Sequence, residues 1–341
     1  MEAEARQHDS QKGDSTVTTK LELKTLIHTP NDCGTQYAAY YHEQRKTGGI
    51  VTGIPIIDRD MNPLKPGDIL GIIARPGHGK STIGAYLARK VALDIARAGI
   101  EDQCAVYVTL EQSIEEIETL FELPDDLSYD ATQLARMAID EDQVIKQSMK
   151  RAALPVWMLG ASSTRRKITP RMTIDNIYNS LMLIEGEWGM RPAIVVIDYV
   201  QIIPVERTSE RVQQVTEAII GANELADRLG CPLLLPVQAR RDVDKYANKI
   251  PTASDCQWAS AIEQVADKLI GVWRPSLTEE EGTIIEIEKR EIKIAQNLAI
   301  ARLLKQRGGP AGMTWPLYFA PQYLKLGEAE LQYAELEKHL N

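Results

Sequence analysis

Residues 69–82 read ILGIIARPGHGKST, an apolar run that passes straight into a loop of small residues and out again into a helical pattern. Six apolar residues bounded by turn formers make a buried strand, and the spacing of Ile83, Leu87, Val91 and Ile95 makes the following segment a helix with one apolar face. The loop between them holds Ala74, Arg75, Pro76, Gly77, His78, Gly79, Lys80, Ser81 and Thr82. This is the glycine-rich phosphate loop in the strand-to-helix context it requires, with Ala74 standing where the usual pattern has a first glycine. Glycines let backbone N–H groups turn inward on phosphates, and the helix N-terminus adds partial positive charge. Lys80 supplies a point charge and Ser81 a hydroxyl that can ligate Mg²⁺. His78 reads as a bystander beside the phosphates rather than a catalyst.

The rest of the chain repeats the same alternation. Apolar strand-like runs at 105–110, 156–159, 193–197 and 233–237 are separated by helical patterns, and Val212, Val215, Ile219, Ala222, Ala226 and Leu229 recur at helical spacing. This predicts an α/β fold with a mostly parallel sheet flanked by helices. Runs at 283–288, 299–304 and 315–319 predict antiparallel C-terminal strands that extend the sheet, and the charged end of the chain predicts a solvated helix. At the front, residues 1 to about 20 are polar and unpatterned, and residues 1–35 read as a flexible tail. Residues 36–48 read as a linker helix able to dock on a neighbouring subunit, and residues 49–341 form one domain.

Net charge decides little. At −9 it excludes a surface that is basic all over, but a ring-shaped motor can confine its positive charge to a few channel loops. The four cysteines have no metal-ligand spacing and read as buried free thiols. With no apolar run of about 18 residues, the expected setting is cytoplasmic.

Around the phosphate loop, TGIPIIDRDMNPLKPGDILGIIARPGHGKS resembles the start of the motor domain of DnaB-type replicative helicases, including the ARPxxGK form. The similarity continues in order through VYVTLEQS, VVIDYVQII, ERVQQVTEAI, LLLPVQARRDVD, SDCQWASAIEQVADKLI and LLKQRGGPAG, over about residues 50–326. The resemblance implies a RecA-like P-loop NTPase core that hydrolyses ATP with Mg²⁺ at composite sites between subunits of a homo-oligomeric, hexameric ring. It implies translocation on single-stranded DNA, with a loader or other replication protein as partner.

It also implies roles for residues. Glu111 polarises the attacking water, and Asp198 shares Mg²⁺ with Ser81. Gln238 senses the γ-phosphate, Arg241 matches a further family position, and Lys305 with Arg307 reaches into the next subunit's site. The chemistry agrees: carboxylates at strand ends face the crevice of an open α/β sheet, and a planar guanidinium suits the charge on a transferring phosphoryl group. Tyr199 and Gln201 read as packing or positioning residues.

Two features depart from the family. The segment between Ser254-Asp255 and the AIEQ run at 261–264 carries Cys256, Gln257, Trp258, Ala259 and Ser260, where the family usually has an arginine, a glutamate and a glycine. Gln257, Trp258 and Ser260 are candidate DNA contacts, with Trp258 either stacking on a base or buried at a subunit contact. Arg207 and Arg211 are candidate phosphate contacts, or partners of Glu206 and Glu210, and the cluster Arg165, Arg166 and Lys167 reads as solvated. The family's helical N-terminal domain has no counterpart in the roughly 50 residues before the core. The alternative reading is therefore a regulatory or assembly ATPase of the RecA superfamily whose ring engages protein instead of DNA.

Overall fold

The computed structural model describes Lys24 and residues 26–164, 170–205, 211–246, 248–256 and 259–329. Its contacts divide it into two compact units, residues up to Gly48 and residues from Gly49 onward.

The first unit is the helix Pro30–Thr47, which begins several residues ahead of the expected position. Its start is chemically well marked. Thr29 and Asp32 form a capping box in which the Thr29 hydroxyl accepts from the Asp32 N–H, and Pro30 occupies the first turn, where no N–H is needed. Gly48, at φ 70°, ends the helix in a left-handed cap whose N–H donates to the Gln44 carbonyl at 3.0 Å. Tyr37, Tyr40 and Tyr41 are exposed along it, as are Leu26 and Ile27 just before it. Cys33 lies on this exposed helix, so the expected burial of all four thiols holds only for Cys104, Cys231 and Cys256.

In the second unit the strands are β1 (Ile69–Ala74), β2 (Gln103–Thr109), β3 (Val156–Leu159), β4 (Arg191–Asp198), β5 (Leu233–Gln238), β6 (Lys268–Trp273), β7 (Ile284–Ile287), β8 (Arg290–Lys293), β9 (Leu298–Gln306), β10 (Thr314–Ala320) and β11 (Lys325–Glu328). Nine form one sheet in the order β11-β10-β9-β6-β1-β5-β4-β2-β3. From β6 to β3 every pairing is parallel, while β9, β10 and β11 add an antiparallel flank. The run at 283–288 departs from expectation. It pairs with β8 as a separate hairpin, because a two-residue turn at Glu288 and Lys289 folds it back before it can reach the sheet.

Both faces of the parallel part are covered, which is why its strands read as unbroken apolar runs. On one face Leu70 and Ile72 pack with Leu87, Val91 and Ile95 of the helix Lys80–Ala98. On the other, Ile69 and Ile73 pack with Val215, Ile219 and Ala222 of the helix Arg211–Leu229 and with Leu181 of the helix Ile174–Trp188. Among the described residues, no helix is long and apolar enough to cross a membrane.

Candidate functional site

Because β1, β2, β4 and β5 run parallel, their C-terminal ends share one edge of the sheet. The register places Ala74 beside Gln238 and Thr109 beside Asp198. Hydrogen bonds continue past the strands, from the Ala239 N–H to the Ala74 carbonyl and from the Leu110 N–H to the Asp198 carbonyl, each 3.0 Å. Glu111 follows directly, exposed at that edge. The sheet thus gathers Lys80, Ser81, Glu111, Asp198 and Gln238, which sequence reasoning placed in one site.

The loop is held open from below. Gly77 and Gly79 both adopt left-handed backbone angles, φ 78° and 91°, which a side chain would strain. At Gly79 a Cβ would also lie 2.3 Å from the buried Phe319 ring of β10. Arg75 turns away from the loop to form an ion pair with Asp244 at 2.9 Å and to donate to the Ala239 carbonyl at 3.3 Å. Lys80 opens the helix Lys80–Ala98, and its Nζ donates to the Arg75 carbonyl at 3.4 Å. Burial pushes the Lys80 ammonium below the usual lysine range, while Asp198 and Glu111 act in the opposite direction, so these two carboxylates stand near its charge.

Asp198 is buried at the end of β4, and the Tyr107 hydroxyl donates to its Oδ2 at 2.6 Å while lying 3.4 Å from the Ser81 carbonyl. Burial, and then Asp198, hold the Tyr107 hydroxyl well above its ordinary pKa, so it remains a donor. Tyr107 therefore ties the start of the loop helix to the acid. Hard oxygens of Ser81 and Asp198 suit Mg²⁺, which takes one or two protein oxygens and completes its shell with phosphate and water. Among the described residues no group of three or more His, Cys, Asp or Glu could hold a metal on protein ligands alone. Gln238 is positioned through its own N–H, which donates to Oε1 of the buried Gln201 at 3.1 Å, in keeping with a positioning role for Gln201.

His78 is 4% exposed, and its Nδ1 accepts from the Arg274 N–H at 3.0 Å, which leaves the ring proton on Nε2. Burial, then the charges of Arg274 and Arg75, bring its pKa down from 6.5 to about 4. As the pH falls below 6.5 the unfolded chain binds a proton that the folded chain refuses until about pH 4, so stability is lost across that window. Thermal melts should show a loss of up to about 2–3 kcal/mol from this group between pH 7 and pH 4. His78→Met should be less stable at pH 7 but flatter with pH; parallel pH profiles would contradict the assignment.

Lys305 and Arg307 lie elsewhere. β9 runs antiparallel to β6, so Gln306 pairs with Lys268 and the end of β9 sits at the opposite edge of the sheet. The Arg307 N–H donates to the Asp267 carbonyl, whose own N–H donates to the Ile69 carbonyl at the start of β1, both at 2.9 Å. The five steps of β1 from Ile69 to Ala74, at about 3.3 Å each, separate Arg307 from its own phosphate loop by roughly 17 Å. The Arg307 side chain is 62% exposed and pairs with Asp267 at 2.8 Å.

Of the candidate DNA contacts, Arg207, Gln257 and Trp258 lie outside the described residues, as do Arg165, Arg166 and Lys167. Arg211 opens its helix with a side chain that also lies outside them, and Ser260 is exposed on the helix Ala259–Val265. A bridge between Ala239 and Cys256 and a 2.7 Å bond from the Arg240 N–H to the Asp255 carbonyl join this segment to the strand that carries Gln238. Sequence reasoning missed Tyr107, Arg274 and Phe319. Only Tyr107 left a signal, a phenol inside the apolar run of a buried strand, whose hydroxyl must find a partner.

Residues 49–328 match the family model for the DnaB-like helicase C-terminal domain. The chain is 26% identical over 293 residues to the replicative DNA helicase DnaB of Rickettsia felis, covering 83% of this chain and 58% of that protein. It is 29% identical over 255 residues to the replicative DNA helicase DnaB of Leifsonia xyli, covering 71% of this chain and 50% of that one. The chain thus spans 50–58% of the length of these two curated relatives. A solved DnaB-like replicative helicase, described together with its interactions with primase, superposes at TM-score 0.67 and 20% identity, over 86% of this chain and 66% of that one. A solved isolated ATPase domain superposes at 0.68, over 88% of this chain and 99% of its own length, also at 20% identity. At that identity the two structures speak for the fold.

Proposed function

We propose, from the premise that this chain belongs to the DnaB-like helicase C-terminal domain family, that it is an ATP-driven motor on single-stranded DNA in replication. It works as a cytoplasmic ring, hexameric as the resemblance implies, with ATP and Mg²⁺ bound between adjacent copies. One observation carries the reading: the phosphate loop, Glu111, Asp198 and Gln238 share one edge of the sheet while Arg307 and Lys305 occupy the other. An arginine so far from its own loop can complete a nucleotide site only on a neighbour.

In that site Lys80 and the loop amides hold the phosphates, and Ser81 and Asp198 would hold Mg²⁺, which would supply charge neutralisation to the phosphates. Glu111 orients the attacking water as a base. Arg307 and Lys305 of the next copy meet the charge that spreads over the transferring phosphoryl group, and Gln238 reads its presence. The bonds from Ala239 and Arg240 to residues 255 and 256 tie the strand of Gln238 to the start of the segment that carries the candidate DNA contacts in sequence. The helix Pro30–Thr47, with three exposed tyrosines, docks on a neighbouring copy, and a loader or other replication protein is the expected partner.

ATP turnover with and without single-stranded DNA tests the reading. Stimulation by DNA should fall steeply with salt, because each neutralised phosphate contributes about −0.7 to the slope of log affinity against log salt. Arg207→Ala combined with Arg211→Ala should reduce that slope by about 1.4 and leave basal turnover largely intact. Turnover indifferent to DNA at low salt would favour the ring that engages protein.

A further inference from the structure

We propose that Gln306 is a positioning residue for the arginine this chain lends to its neighbour, an inference that rests on the shared site proposed above. Lys305 at the end of β9 and Arg307 just past it turn to the same side, where they donate to the neighbouring Glu263 and Gln264 carbonyls, while Gln306 between them projects from the other face. Gln306 is turned inward and only 8% exposed. Its Oε1 accepts from the Asn62 N–H at 2.6 Å, and its Nε2 donates to the Pro310 carbonyl at 2.9 Å and the Asp60 carbonyl at 3.2 Å. These bonds use an acceptor and two donors at once, which an amide can supply and a carboxylate or thioether cannot.

The partners explain what is being fixed. Pro310 closes the turn that begins at Arg307, so the Gln306 amide spans that turn from within. Asn62 reaches the same turn a second time, its Nδ2 donating to the Gly308 carbonyl at 3.3 Å. Gly308 adopts φ 72°, and a Cβ at Gly309 would lie 2.5 Å from the Gln306 amide nitrogen, so the turn is shaped around this side chain. The loop that receives it is itself anchored, because Trp315 Nε1 donates to Asp60 Oδ2 at 2.9 Å. Arg307 leaves the chain at the first residue of this bolted turn. The Arg307 N–H donates to the Asp267 carbonyl and its guanidinium meets Asp267 and the Gln264 carbonyl, so the Gln306 clamp fixes the one side of this stem that those contacts leave open, the turn that follows it.

Gln306→Met preserves volume and removes all three bonds. Rings of this variant should assemble and bind ATP with a KM close to wild type, because the phosphate loop lies at the other edge. Their kcat should fall by about 10²-fold, the order of loss that an ångström of misplacement brings. Three further readouts separate positioning from general damage. Gln306→Met combined with Arg307→Ala should be no slower than Arg307→Ala alone, since the amide acts only through the arginine. Mixed with Glu111→Ala rings under conditions of proven subunit exchange, Gln306→Met should regain turnover; mixed with Arg307→Ala it should not. Should Gln306→Met fold poorly, Asn62→Ala removes a single bond to the same turn and should lower kcat severalfold at unchanged KM.

Wild-type kcat in Gln306→Met, or a double variant much slower than Arg307→Ala, would overturn the inference. So would failure of the Gln306→Met and Glu111→Ala mixture where Arg307→Ala and Glu111→Ala recover together. If that last pair itself stays inactive, the shared site falls first, and the two failures are thereby told apart.

Discussion

Rings carrying Arg307→Ala should hydrolyse ATP about 10³- to 10⁵-fold more slowly than wild type and still bind the nucleotide. The magnitude follows from the proposed role: a guanidinium so placed contributes where charge accumulates in the transition state and little in the ground state, so kcat should fall and binding survive. Glu111→Ala should give a second slow ring for a different reason, loss of the carboxylate that orients water. Mixed and allowed to exchange copies, the two slow proteins should recover activity. Some junctions then pair an intact Glu111 with an intact Arg307 from next door. If Arg307 served its own chain, every site in the mixture would lack one group. A mixture that stays as slow as its components, with exchange demonstrated, would refute the shared site.

Lys80→Ala should abolish nucleotide-dependent activity at the binding step. A ligand present at 100 times its Kd stabilises a protein by about 2.7 kcal/mol, so wild type should melt later with ATP and Mg²⁺ and the variant should not respond. In the absence of nucleotide the variant should be as stable as wild type or more so, because burial already disfavours the Lys80 ammonium and removing it relieves that cost. A ligand-dependent shift equal to wild type, or full turnover, would place the phosphates elsewhere.

The strand, loop and helix of the candidate phosphate site were legible because several independent constraints meet there. A buried strand, a glycine loop and a patterned helix each limit the chain, and a parallel sheet must bring the ends of its strands to one edge, so Asp198 and Gln238 followed once the strands were read. Other elements were hidden by interactions that sequence does not display. β6 begins with Lys268, an unpromising start for a central strand, yet that lysine is buried against Asp68 at 2.5 Å, a partner 200 residues away. The β7–β8 hairpin was misread as part of the sheet because its turn places Glu288 and Lys289 at φ 53° and 66°, where asparagine or glycine would have announced it. The early start of the first helix was visible in principle, since Thr29, Pro30 and Asp32 are strong start signals. The clamp on the arginine turn was not, because Gln306 and Asn62 are 244 positions apart and neither residue type is unusual where it stands.

If Arg307 completes its neighbour's site as proposed, its placement at the opposite edge from the phosphate loop also governs how many working sites an assembly owns. Contact between copies on this plan is head-to-tail, so every assembly has direction, with a bare loop at one end and an idle arginine at the other. An open string of n copies holds n − 1 complete sites, and a closed ring holds n. Turnover per chain is then zero in a monomer, half its full value in a dimer, and complete only when the last gap shuts. On that proposal, opening a ring at one junction to admit a strand without free ends would silence that junction alone and leave the others supplied. Closure around a strand and the gain of the final site would then be one event.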